Sequence, residues 1–135
     1  MTPAPLHIRP GQTLAEAHRL MRKNRIRHLP VVDRGKLVGI VSQRDLMLIE
    51  TLPDVRPEEV PVEDAMIGQV FAVTPGASLG GVASRMAGRK LGAAVVVENG
   101  RVVGVFTVTD ACRALAEVIG QPLLRRRPSV GTGAW

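Results

Sequence analysis

Aromatic side chains make up 2% of the 135 residues: there is no Tyr, and only two Phe and a single Trp. A core without them must be aliphatic, built from Val, Leu, Ile, Ala and Met. The same scarcity speaks against proteins that stack the bases of single strands or RNA loops on aromatic platforms. Cysteine is almost missing as well. Cys112 stands alone, which excludes an internal disulfide and any multi-cysteine metal site. No apolar run approaches the ~20 residues of a membrane-spanning helix, and residues 1–20 lack the apolar stretch of a signal peptide. The chain therefore reads as a soluble cytoplasmic protein. With 45% hydrophobic and 22% charged residues it has the composition of a globular fold. Its length suits one domain, or two small halves sharing a core.

Basic residues outnumber acidic ones, 18 to 12, for a formal charge of +6. That excess suggests an anionic partner: a nucleotide, a nucleic acid or a lipid surface. Three of the charges, Arg125, Arg126 and Arg127, sit in residues 120–135, whose Gly, Pro and Ser content reads as a basic flexible tail.

Sliding the sequence against itself by 65 positions aligns residues 1–48 with 66–113 without a gap. Eleven positions are identical, among them Pro10/Pro75, Gly11/Gly76, Gly35/Gly100, Gly39/Gly104 and Asp45/Asp110. Chance would give roughly three. Conservative pairs such as Arg25/Lys90 and Ser42/Thr107 add to them. Each copy reads as β-α-β-β-α. Short strands (Leu6–Ile8, Val70–Val73) lead through Pro-Gly into helices opened by Thr13, with Glu16 completing a capping box, and by Ser78. Hairpins follow over Leu29–Val41 and Ala94–Phe106, turning at Arg34-Gly35 and Asn99-Gly100. Asn-Gly between β-branched runs is a strong type I′ signal. Second helices are expected over Arg44–Glu50 and Thr109–Ile119. The divisions are 1–50 for the first copy, 51–61 for a proline-rich exposed connector, and 62–119 for the second copy, which opens with a short helix at Val62–Met66.

The most informative segment occurs twice: Gly39-Ile40-Val41-Ser42-Gln43-Arg44-Asp45 and Gly104-Val105-Phe106-Thr107-Val108-Thr109-Asp110. A strand ends in Gly-apolar-apolar and passes to a helix through a hydroxyl, two residues and an aspartate. One reading is a helix cap, the hydroxyl accepting from a free N–H. The other is a ligand site: a helix start offers positive potential to an anion, and a carboxylate accepts hydrogen bonds from vicinal hydroxyls. Both readings can hold together.

These two copies, carrying His28-Leu29-Pro30-Val31-Val32-Asp33, Gly35-Lys36-Leu37-Val38-Gly39-Ile40-Val41-Ser42 and Arg44-Asp45-Leu46, resemble a CBS domain pair, the family named after cystathionine beta-synthase. The resemblance implies an α+β fold: tandem β-α-β-β-α repeats about a pseudo-twofold axis, with three-stranded sheets packed together. It implies clefts between the repeats for adenosine-containing ligands such as AMP, ADP, ATP or S-adenosylmethionine. It assigns ribose or phosphate contacts to Ser42 and Asp45 in one cleft and to Thr107 and Asp110 in the other. Phosphates would meet Arg27 and His28, whose copy-two counterparts are Gly92 and Ala93. Adenine would lie against the strands at His7, Ile8, Ala72 and Val73, which by residue type alone read as core strands.

Arg19, Arg22, Lys23 and Arg25 read as a solvated helix face. His7, His18 and His28 share no metal-ligand spacing, and there is neither a nucleophile elbow nor a phosphate loop, so neither metal nor catalysis is expected. The small residues Gly80, Gly81, Ala83, Ser84, Ala87 and Gly88 suit either close packing on the sheet or close helix approach in the homodimer that the resemblance implies. The leading expectation is a regulatory sensor without catalysis, needing no cofactor and acting on a separate, unidentified protein, with no membrane contact. Its rivals are a nucleic-acid-associated protein using the 18–28 basic segment and the Arg125–Arg127 tail, and a ligand-free dimerisation scaffold.

Overall fold

The computed structural model describes residues 6–120 and the backbone of Thr2–Pro3. The expected tail from residue 121 onward, with Arg125, Arg126 and Arg127, lies outside the described residues.

Copy one contains β1 (Thr2–Pro3), α1 (Leu14–Asn24), β2 (His28–Asp33), β3 (Lys36–Ser42) and α2 (Gln43–Ile49). Copy two contains a 3-10 turn (Val62–Asp64), β4 (Ala72–Val73), α3 (Leu79–Arg89), β5 (Ala93–Glu98), β6 (Arg101–Thr107) and α4 (Val108–Val118). Thr13 caps α1: its hydroxyl accepts from Glu16 N–H at 3.2 Å, and Glu16 accepts from Thr13 N–H at 3.4 Å. Leu14, Ala17 and Met21 then fall on one face and are buried. Both hairpins turn through paired positive φ values, 52° and 79° at Arg34 and Gly35, 53° and 77° at Asn99 and Gly100, as type I′ geometry requires. The repeat extends to irregularities. Register slips between Val31 and Val32 in one hairpin and between Val96 and Val97 in the other, at equivalent positions.

Two expectations change. The strand expected over Leu6–Ile8 is a single bridge, Ile8 to Val31, because Pro10 and Gly11 turn the chain away at once. Each sheet also carries a segment from the other copy. β1 pairs with β6, Thr2 opposite Val105, and Ile67 pairs with Ile40 of β3. These are the same exchange related by the 65-residue repeat, and they give β6 a neighbour on its outer edge, in the order β1-β6-β5-β4. Gly39 makes the second crossing possible. A Cβ there would lie 2.6 Å from Met66 Sδ and 2.9 Å from Ile67 O.

Copy one buries the larger core, Ile8, Leu14, Ala17, Met21, Leu29, Val31, Val41 and Leu46, joined by Val62 from the start of copy two, against Val82, Met86 and Ala94 in the cluster of copy two. Part of the reason is the segment 51–61. It is exposed over 51–54 but then folds back on α1: Leu14 N–H donates to Val60 O and Ala15 N–H to Pro57 O, while Val55 and Val60 join the core. The small residues of α3 do not pack on the sheet. Only Val82 and Met86 are buried, and a Cβ at Gly88 would meet nothing within 4 Å.

Candidate functional site

Both Ser/Thr-x-x-Asp segments form full capping boxes. Ser42 N–H donates to Asp45 Oδ2 at 2.9 Å, and Asp45 N–H donates to Ser42 Oγ at 3.1 Å. In copy two Thr107 N–H donates to Asp110 Oδ2 at 2.8 Å and Asp110 N–H to Thr107 Oγ1 at 3.2 Å, with the Thr107 hydroxyl also donating to Oδ2 at 3.0 Å. The first helical N–H groups are used as well, Gln43 donating to Arg27 O and Val108 to Gly92 O. Most donors at each helix start are therefore spent inside the fold. An anion here must be held chiefly by side-chain cations.

Those cations come from both copies. Cleft one, of about 560 Å³, sets Thr107, Thr109 and Asp110 of copy two against Leu6, Arg25, Arg27 and His28 of copy one, with Arg113 beside them. Cleft two, of about 780 Å³, sets Ser42, Arg44 and Asp45 of copy one against Phe71, Lys90, Leu91 and Gly92 of copy two. Both are the size of small-molecule sites. Arg27, His28 and Gly92 line both clefts. The asymmetry of the repeat is thus physical. His28 lies across Gly92, where a Cβ would come within 3.2 Å of its Nε2.

Burial deprives the His28 ring of water and pulls its pKa below 6.5. Asp45 opposes that shift and Arg27 adds to it. The ring is therefore neutral at pH 7. Asp110 is 7% exposed. Burial raises its pKa, but several opposing interactions, the bonds from Thr107 foremost, hold it below the ordinary 3.8, so the carboxylate stays charged. Arg113 Nη1 lies 3.6 Å from its Oδ1.

The structure brings together Ser42 and Asp45, Thr107 and Asp110, and Arg27 and His28. It does not bring the expected adenine contacts to the clefts. Ile8 is fully buried in the core, and its N–H and carbonyl are both bonded to β2. His7, Ala72 and Val73 line neither cleft. The apolar walls come instead from residues that include Leu6 and Phe71, two positions before Ile8 and Val73. Arg25 leaves the solvated face to which it was assigned and lines cleft one, as its repeat partner Lys90 lines cleft two. Copy two thus supplies a cation after all. Both occupy left-handed positions at φ 54°, capping α1 and α3. The pairing of Arg25 with Lys90 was the available signal. Nothing in the pattern marked Arg113, whose counterpart is Leu48. Among the described residues no His, Cys, Asp and Glu cluster could hold a metal ion, and no helix is long and apolar enough to cross a membrane.

Residues 1–50 and 62–117 match the CBS domain family, and the chain belongs to it. It is 29% identical over 110 residues to the CBS domain-containing protein YhcV of Bacillus subtilis, covering 82% of this chain and 78% of that one. A putative acetoin utilization protein (AcuB) from Vibrio cholerae superposes with a TM-score of 0.76 at 35% identity, over 87% of each chain. CBSX2, solved in complex with AMP, superposes with a TM-score of 0.72 at 25% identity, over 87% of this chain and 93% of that one. The chain also matches inosine-5'-monophosphate dehydrogenases, of which it spans 22% to 26%.

Proposed function

We propose that the two clefts bind adenosine-containing ligands (AMP, ADP, ATP or S-adenosylmethionine) and that this CBS pair is a non-catalytic cytoplasmic sensor. One observation carries the reading: in each cleft, one copy's hydroxyl-x-x-aspartate segment faces an apolar wall and at least one cation of the other copy. Asp45 and Asp110 would accept from ribose hydroxyls, Arg25, Arg27, Lys90 and the neutral His28 would meet phosphate, and Leu6 and Phe71 would hold the base. A ligand spanning both copies favours the arrangement of the copies that fits it, which is how occupancy becomes a signal to another chain. The AMP complex of CBSX2 supports the ligand class.

A second copy of the chain is a further partner in this reading. Met47, Leu48, Leu115 and Val118 expose apolar surface on α2 and α4, and a Cβ on the glycines of α3 would meet nothing at Gly88 and only Ser78 at Gly80 and Gly81. Light scattering at micromolar concentration should return a dimer mass; a monomer mass would count against that part.

The test is calorimetry with AMP, ADP, ATP, S-adenosylmethionine and NAD. At least one adenosine ligand should bind below millimolar. Should none bind, the sensor reading fails. Strongly salt-dependent binding to duplex DNA in their place would favour the nucleic-acid alternative.

A further inference from the structure

The clefts share part of their lining. Arg27, His28 and Gly92 line both, and Arg27 has no counterpart, since the equivalent residue in copy two is Gly92. A symmetric pair would give each cleft its own arginine at this point. Here one guanidinium serves two, with the His28 ring lying across Gly92 beside it.

Resting on the nucleotide-binding reading, we propose that the two clefts compete for Arg27, so that a phosphorylated nucleoside in one weakens binding of a second in the other. Either cleft filled alone draws on three cations: Arg25, Arg27 and Arg113 in cleft one, or Arg27, Arg44 and Lys90 in cleft two. Filled together, they lose one of these by sharing. The carboxylates of Asp45 and Asp110 remain in both cases and add negative charge to each site. The helix starts have little to add, because Ser42, Gln43 and Asp45 N–H groups, and those of Thr107, Val108 and Asp110, already have acceptors. Two phosphate groups, each carrying up to about two negative charges at pH 7, would also repel across the lining that both clefts share. Linkage makes the penalty mutual: whichever cleft fills first disfavours the other by the same factor. The consequence is a module that fills one nucleotide per chain over a wide concentration range. A ligand without phosphate escapes the competition, because nothing it needs is shared.

The experiment is a titration of the full chain with AMP and, separately, with adenosine, followed by amide NMR. Resonances of Ser42–Asp45 and Thr107–Asp110 report the two clefts individually. Asp45→Ala and Asp110→Ala are each titrated in the same way. Disabling the cleft that fills first should lower the AMP midpoint of the other at least tenfold and leave its adenosine midpoint unchanged. An AMP midpoint that does not move overturns the proposal while leaving nucleotide binding intact. If neither segment responds to either ligand, both the proposal and the functional reading fall. Should an aspartate variant not fold, Arg27→Ala answers the same question. The spacing between its two AMP midpoints should shrink to that seen with adenosine, and an unchanged spacing overturns the proposal.

Discussion

Asp45 and Asp110 each hold a helix start and face a cleft, so removing either has two separable effects. Asp45→Ala should weaken cleft two, and Asp110→Ala cleft one, by about 1–3 kcal/mol if the carboxylate bonds a ligand hydroxyl; calorimetry measures this. A lower melting temperature with unchanged affinity would leave the aspartate a cap and nothing more. His28 gives a pH signature. Its folded pKa lies below 6.5, so between the two values the unfolded chain binds the proton more tightly. The stability it contributes is present above about pH 6.5 and lost as pH falls, and urea unfolding at pH 7.5 and 5.5 should show His28→Gln flattening that slope. Asp110 acts in the same direction at lower pH, its contribution disappearing as pH falls through the carboxylate range below 3.8. Arg25 carries a side chain in a left-handed conformation that costs about 1–2 kcal/mol in a residue other than glycine. Arg25→Gly should therefore raise stability and lower phosphate affinity together. Much at this scale was legible. Both Ser/Thr-x-x-Asp segments were, since three-residue spacing dictates a capping box, and so were Arg27 and His28. Leu6 and Phe71 were not, because which residue beside so short an extended segment borders a cleft is decided by packing.

The elements follow their local signals closely where those signals are chemical: caps at Thr13, Ser42, Ser78 and Thr107, and turns at Gly35 and Gly100. Each second helix begins one residue earlier than expected, directly after its capping hydroxyl. What the sequence pattern hid was the exchange of β1 and Ile67 between sheets. A pairing of one or two residues has no period, and its partner lies on the far copy. Gly39 and its counterpart Gly104, which lies opposite Pro3, carry a trace, as glycines inside strands. Gly39→Ala should destabilise the protein by about 1–3 kcal/mol, because the nearest atoms include the Ile67 backbone, which cannot rotate away as a side chain can. Chemical denaturation measures it. An unchanged midpoint would mean that the crossing at Met66–Ile67 is not needed for stability.

For the molecule as a whole, duplication built two clefts and sequence divergence made them unequal. The sparse aromatics are part of this: Phe71 stands in cleft two where Leu6 stands in cleft one. Copy one has the larger buried cluster among the described residues, so amides of α1 should exchange with solvent more slowly than those of α3; equal protection would show that the copies open as one unit. The excess positive charge also acquires a location. Arg25, Arg27 and Lys90 face the space between the copies, while Arg19, Arg22 and Lys23 remain on the solvent side. Cross-copy construction is the central claim, and an amide NMR titration with AMP tests it most directly. The expected result is that Arg25–His28 of one copy and Thr107–Asp110 of the other shift together, with a common midpoint below millimolar. Shifts confined to one copy, or none up to millimolar AMP, would contradict it.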